Sequence, residues 1–308
     1  MKHMDASIKP SMFAHHRPTH AFASAFGGDI PTGSARPVSS PVDRIACMTA
    51  RKRYEHALKS AGLWVYDADM PTCVLPDGVH DRKGLASFLW DDADAIGGMR
   101  MERMIRGHYG RIWHDGLSDA MRHALIWYCD VGYAAMNAGL DGRAALSSED
   151  WRACMLARDA CMLAGGLRDD AIMYRTIMTN NMPSNARNAE ETMLYRAFAD
   201  AEPVIRRSFT SVSMRDGMFG DGFDRTHIIL RVHSGVHGFA VPWNVRDVGI
   251  DEHEFIIAPD AVMKVIGVFE TGMLEDGGMG WKDGHPVIAA EVFPQERQAS
   301  RLAWHSGV

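Results

Sequence analysis

The hydrophobic period of this chain changes near residue 171, and that change decides most of what it can fold into. Before it, apolar residues recur at helical spacing. Leu117, Met121, Ala124, Leu125, Tyr128, Gly132, Ala135, Met136 and Leu140 fall on one stripe. A second helix starts at Ser147 or Ser148 and carries Trp151, Cys154, Met155, Cys161 and Met162, with Arg158 the one polar interruption. Gly165 and Gly166 close it. After that the period falls to two. Ala171–Ile177 reads as a strand with Arg175 set in it. A short helix follows, with Asn188 as N-cap and Glu191 three residues on. Further strands are expected at Ser208–Ser213, Thr226–His233, Gly238–Trp243, His253–Ala258, Val262–Phe269 and Pro286–Val292. Many short strands after a helical half predict an α+β fold with antiparallel sheets, because strand and helix do not alternate as a doubly wound fold requires.

The residues ahead of the first stripe divide in two. Residues 1–42 hold Pro10, Pro18, Pro31, Pro37 and Pro41 among Ser, His, Gly and Ala, a composition expected to stay disordered. Residues 43–115 read as mostly helical, with a C-cap at Gly62, a loop over 63–80 and an interruption at Gly97-Gly98. Arg100, Arg103, Arg106 and Arg111 recur there, as a solvated helix face or a phosphate-binding stripe. The net charge of −6 argues against a general nucleic-acid binder. No apolar run approaches 18 residues, so no membrane span is expected. Cys47, Cys73, Cys129, Cys154 and Cys161 are scattered with no C-x-x-C, as suits free thiols in a reducing compartment. Cys154 and Cys161 read as thiols on the core side of their helix.

The residue types with chemistry to offer stand mainly in the second half. Glu252 and Glu254 lie two apart at the mouth of an apolar run. On a strand they project to one face, where each carboxylate raises the pKa of the other. Alone, such a pair is also what a solvated strand end looks like. His227, His233 and His237 lie in or beside apolar strands, as cross-strand or solvent-facing residues in preference to metal ligands. Gly217, Gly220 and Gly222 precede a strand and not a helix, unlike a dinucleotide fingerprint.

Three pieces line up in chain order: Met173-Tyr174-Arg175-Thr176, Ser208-Phe209-Thr210-Ser211-Val212-Ser213, and Glu252-His253-Glu254. This series resembles the Arg, Ser-Thr-Ser and Glu-x-Glu motifs of the mono-ADP-ribosyltransferases, a family of clostridial binary toxins, injected bacterial effectors, some phage enzymes and vertebrate ecto-enzymes. The helical approach, with Tyr128, Met136-Asn137 and Leu140, is similar as well. The resemblance spans roughly Leu117 to Val292, with one departure: Val212 stands where the family has Thr.

The resemblance implies a catalytic domain over 116–308, built as two packed, mainly antiparallel β-sheets that bind NAD, after a leader (1–42) and a helical region (43–115). It implies an NAD-dependent protein mono-ADP-ribosyltransferase, with NAD as co-substrate and no metal. Glu254 matches the glutamate that faces the ribose cation, and Glu252 the acid that faces the incoming nucleophile. Arg175 would clamp phosphate or ribose, Ser211 would steady Glu254, and Ser213 and Tyr174 would lie along the cofactor. Phe219 and Phe223 are candidates to cover the nicotinamide, or loop packing. Trp243 either reads the protein substrate or ends a strand. Glu-x-Glu, where some relatives have Gln-x-Glu, favours an arginine acceptor. The biology implied is a toxin or effector secreted without a Sec signal. It would modify a host protein in the target-cell cytoplasm, with a secretion chaperone on the leader; the cytoplasm of the producing or phage-infected cell is the alternative. An NAD glycohydrolase and a catalytically inactive interaction module of the same fold stay open.

Overall fold

The computed structural model describes residues 59, 64–65, 72–74, 76, 78–79, 82–90, 98–178, 189–216, 225–245, 251–270 and 287–294. The expected leader and the helix expected over 43–61 lie outside the described residues, apart from Lys59.

Among the described residues six helices carry the first half and its continuation: α1 (Arg82–Leu89), α2 (Gly98–Asp115), α3 (Asp119–Trp127), α4 (Tyr133–Leu140), α5 (Ser148–Leu163) and α6 (Ala189–Ala199). On α2, Met101, Ile105, Tyr109 and Trp113 recur every fourth residue and are buried. Ser118 caps α3, and Ser147, not Ser148, caps α5, its hydroxyl accepting from Asp150 N–H at 3.0 Å. The single stripe expected over 117–140 is three pieces, because a π-helical turn at Tyr128–Gly132 joins α3 to α4. Gly132 is needed there. A Cβ at that position would sit 2.5 Å from the Trp127 ring. On α5 the buried face is Cys154, Ala157, Ala160 and Cys161, whereas Trp151 and Met162 are exposed. Burial pushes the Cys154 thiol up to about 12 and raises Cys161 further still. Arg158 spans the gap to Asp260, 3.3 Å away.

Ten strands among the described residues follow the change of period or frame it: β1 (Trp64–Val65), β2 (Thr72–Val74), β3 (Ala171–Met178), β4 (Val204–Arg206), β5 (Thr210–Ser213), β6 (Arg225–Val232), β7 (Gly238–Phe239), β8 (Glu254–Ile257), β9 (Ala261–Glu270) and β10 (Val287–Phe293). The α+β class and the mainly antiparallel pairing are as expected; β10 with β6 and β2 with β9 are the parallel pairs. The separation into two sheets is different. All ten strands join one hydrogen-bonded network, in the order β1-β2-β9-β10-β6-β3-β5-β8-β7, with β4 also on β9. That network must fold back on itself. Five strand spacings separate β8 from β9 along it, about 24 Å in a flat sheet. Yet Ile257 and Ala261 are four residues apart, a reach of at most about 14 Å. Two packed limbs of one network therefore stand where two sheets were expected.

The strand-rich half and the helices share one buried cluster, which includes Leu85, Met101, Tyr128, Met173, Phe209, Phe255 and Val268. Tyr109 of α2 packs edge-on against Phe239 and Phe255, with centroids at 5.1 and 5.6 Å. β7 reaches β8 only because residue 238 is glycine: a Cβ there would lie 2.5 Å from the Phe255 ring.

Candidate active site

β5 lies between β3 and β8, and this places the three separated pieces side by side. Tyr174 is opposite Ser213, and Ser213 is opposite Glu254. Ser211 is therefore diagonal to Glu254 on the same face, within reach of its side chain. The Ser211 hydroxyl donates a short hydrogen bond to Glu254 Oε1. Val212 points the other way, is buried, and pairs with Phe255. A threonine there would carry a hydroxyl into apolar packing, so Val at this position leaves the site face unchanged.

Tyr174, Arg175, Thr176, Ser211, Val212, Ser213, Glu252 and Glu254 line one cleft of about 60 Å³. That volume is room for a few water molecules. Three stretches that adjoin this cleft in the chain, 179–188, 217–224 and 246–250, lie outside the described residues, and with them Phe219 and Phe223. Trp243 opens a short 3-10 turn, Trp243–Val245, so β7 ends before it; its side chain is outside the described residues.

Arg175 is held in place before any ligand arrives. Its Nε and Nη2 donate to Glu190 Oε1 and Oε2 at 3.2 and 2.9 Å, and Nη1 donates to Ser211 O at 2.6 Å. Three of its five N–H groups are used, and the other two are the ones with which it could meet a phosphate or ribose oxygen. Burial works against the charge on Arg175, but Glu190 outweighs it and raises the guanidinium pKa. Burial also works against ionised Glu190, and Arg175 and Arg206 outweigh it, bringing that carboxyl down to about 2. Little in the sequence singles out Glu190. Its only signal is that it is an acid in the first turn of α6, a place that suits the helix dipole equally well.

Tyr128, buried in the π-helical turn, lies near enough to Glu254 and Arg175 to feel both charges. Its hydroxyl accepts from Asn137 Nδ2 at 3.2 Å, and its ring packs on Phe209 with centroids 5.0 Å apart. Burial first, and the nearby Glu254 carboxylate after it, raise the phenol well above its ordinary range. A π-helical turn beside a polar cleft is a recurrent feature of functional sites.

The Glu-x-Glu stretch differs from the strand expected over 253–258. β8 begins at Glu254, and His253 takes a left-handed backbone with φ 50°. A turn, and not the strand pleat, therefore sets how Glu252 stands to Glu254. Ser213 helps hold that turn: its hydroxyl lies 3.2 Å from Glu252 O and 2.8 Å from Arg215 O, and accepts from Arg215 N–H at 3.1 Å.

A charged cluster lies just outside the turn. Glu102, buried on α2, meets His253 Nδ1 at 2.5 Å, Arg215 Nε at 2.6 Å and Arg106 Nε at 2.7 Å. Arg106 Nη2 also donates to Asp251 Oδ1 at 2.6 Å. Burial alone would raise the Glu102 carboxyl; its hydrogen bonds to His253 and Arg215 and the charge of Arg106 lower it instead. Of the four arginines expected on a solvated face, Arg100, Arg103 and Arg111 are exposed, and Arg106 turns in to this cluster. Glu102, Asp251 and His253 offer ligand atoms within 4.8 Å of one another, as a metal site would. Arg106 and Arg215 already neutralise those carboxylates. The histidines of the strands have protein neighbours: Arg82 Nη1 is 2.9 Å from His227 Nδ1, and Asp170 Oδ2 is 2.9 Å from His233 Nδ1.

Solved structures similar to this chain include BECa, an ADP-ribosylating toxin of a binary enterotoxin of C. perfringens, at 18% identity and TM-score 0.48, covering 63% of this chain and 48% of that one. Plx2a, an ADP-ribosyltransferase toxin from Paenibacillus larvae, gives 15% identity and TM-score 0.48 over 63% of this chain and 95% of that one. An ADP-ribosyltransferase from Clostridium botulinum gives 12% identity and TM-score 0.49 over 65% of this chain and 98% of that one. The chain spans about half the length of BECa. No protein-family model and no curated protein matches it.

Proposed function

We propose that this chain is an NAD-dependent mono-ADP-ribosyltransferase that moves ADP-ribose from NAD to a protein side chain, with arginine as the favoured acceptor and a toxin or effector as the biological role. One observation carries the reading. Arg175, Ser211, Glu252 and Glu254, drawn from pieces 36 to 43 residues apart, line the same cleft, and Ser211 is hydrogen-bonded to Glu254.

The chemistry follows from what each group can do. The bond between ribose C1′ and the nicotinamide nitrogen breaks, and its electron pair leaves with the nicotinamide. Positive charge develops at the ribose. A carboxylate fixed beside that charge stabilises the transition state more than the ground state, which is the role of Glu254. Ser211 keeps Glu254 in one rotamer, so little reorganisation is needed when the charge appears. Two N–H groups of Arg175 orient the phosphate or ribose oxygens of NAD. A guanidinium nitrogen then forms the new bond to C1′. It must lose a proton as it does so, and Glu252 is the acid at the cleft that can take it.

Incubation with labelled NAD and a cell lysate tests this. The wild-type chain should release nicotinamide and label protein. Glu252→Gln should keep nicotinamide release within about threefold while protein label falls at least about 100-fold, as expected for loss of a general base. Label that survives in Glu252→Gln would remove that residue from acceptor activation. A wild-type chain that yields neither nicotinamide nor label would overturn the enzyme reading.

A further inference from the structure

The two glutamates of the site are held by different parts of the protein. Glu254 is the first residue of β8. Its backbone belongs to a ladder with β5, and its carboxylate is tied to Ser211. Glu252 lies outside the ladder, across a left-handed residue, so the path of its backbone is set by the turn, to which Ser213 also bonds through Glu252 O. A non-glycine residue at positive φ persists only where its surroundings hold it there.

Those surroundings can be named. The His253 N–H donates to Asp251 Oδ1 at 3.0 Å, closing an Asx turn around Glu252. The His253 carbonyl accepts from Met214 N–H at 2.8 Å. The imidazole Nδ1 lies 2.5 Å from Glu102 Oε1 and 3.1 Å from Arg106 Nη2; the carboxylate only accepts and the guanidinium only donates, so the Glu102 contact belongs to the tautomer with its proton on Nδ1. Arg106 links Asp251 to the same helix at 2.6 Å. Arg215, just past β5, donates to Glu102 Oε2 at 2.6 Å, so the end of that strand is tied to the same carboxylate. Glu102 is therefore the hub of the cluster. It is buried, and it stands on α2, whose neighbouring side chains Met101 and Ile105 are packed in the core. A buried acid on a rigid helix is a fixed point against which a strained turn can be held. It lies 151 residues before His253 in the chain and does not line the cleft.

We infer that Glu102 is a positioning residue. Through His253, and with Arg106 on Asp251, it holds the turn that aims Glu252, and so sets how often the ribose cation meets a protein acceptor and how often it meets water. This rests on the transferase reading above and assigns α2 a part in it. Glu254 has its own support in the ladder. Loosening the cluster should therefore separate two rates that a general loss of structure would lower together.

The test uses the full chain with Glu102→Gln, His253→Ala and His253→Gly, all below their melting temperatures. Each is assayed with labelled NAD for nicotinamide release without acceptor and for label on lysate protein. Glu102→Gln should lower protein label about tenfold or more, leave nicotinamide release within about twofold, and leave the KM for NAD unchanged. His253→Gly should retain more label than His253→Ala although it removes more of the side chain, because glycine adopts positive φ freely. Equal losses of release and label, or no loss of either, would overturn the inference. So would an alanine variant as competent as the glycine one, and this comparison decides the matter if Glu102→Gln does not fold. A wild-type chain with neither release nor label would fail the transferase reading itself, a result distinct from any of these.

Discussion

Glu254 and Glu252 are two residues apart, line one cleft and carry the same functional group, yet they stand on different kinds of backbone. Glu254 is a ladder residue: β5 pairs with it, Ser211 grips it, and Phe255 behind it is buried in the core. Glu252 is a turn residue, kept in place by Asp251, His253 and a cluster whose hub is on α2. A pleated strand repeats its own geometry, so the ladder half tolerates change at a distance. A left-handed turn has no such repeat and depends on contacts from far along the chain. Within the proposed reaction, the ladder half handles the sugar cation and the turn half handles the nucleophile. Their unequal support makes the second step the easier one to perturb.

The largest effect should come from the ladder half. Glu254→Gln keeps the shape and removes the charge, and nicotinamide release should fall by about 10³-fold, with and without acceptor. A loss below tenfold would mean that the charge is supplied by another residue.

Next in size is a stability effect that checks how far the ladder half is self-supporting. Arg175 stands on β3 but is gripped by Glu190 of α6. The Glu190 carboxyl is lowered from its ordinary 4.5 to about 2 in the folded chain. A lowered acid adds stability that is fully present above its unfolded pKa and is lost as pH falls through the folded one. Glu190 should thus contribute up to about 3 kcal/mol above pH 4.5 that disappears toward pH 2. In urea unfolding, Glu190→Gln should be less stable than wild type at pH 6, and the difference should close toward pH 2.5. A difference that is flat with pH would show that Arg175 does not need its partner ionised.

The smallest effect is at Ser211. Ser211→Ala removes one charge-assisted hydrogen bond from Glu254 and leaves the ladder intact, so kcat should fall by about tenfold with KM for NAD unchanged. A fall as large as that of Glu254→Gln would mean that the hydroxyl, and not the ladder, holds the carboxylate. Together with Glu252→Gln and the Glu102 and His253 variants, these measurements order the two halves by what supports them.

Much of the site could be read from the chain because it depends on short-range pattern. The alternation around Arg175, Ser211 and Glu254 is visible in a few residues each, and the three strands that carry them do form. Val212 reads as a departure from a motif only until its pairing with Phe255 puts it on the core side. Other elements were out of reach. Glu102 sits among arginines on a helix that reads as a wet surface, and its burial depends on partners 113 and 151 residues away. Glu190 looks like a helix-start acid. The turn at His253 stands just before the apolar run that forms β8, and the residue type marks a left-handed histidine only weakly. The folding back of the strand network follows from the short β8–β9 connection combined with a strand order that sequence does not state.

By itself, then, the sequence determined the helical and strand-rich halves, the mainly antiparallel pairing and which side chains could do chemistry, because periods of 3.6 and 2 are properties of neighbouring residues. Only the tertiary structure decided that one network rolls into two limbs, that Arg175 is paired with Glu190, and that Glu102 and Arg106 of α2 meet His253 and Asp251 on either side of Glu252. Those outcomes rest on charges and backbone groups that must find partners once water is excluded, and the partner each one finds is set by the fold as a whole.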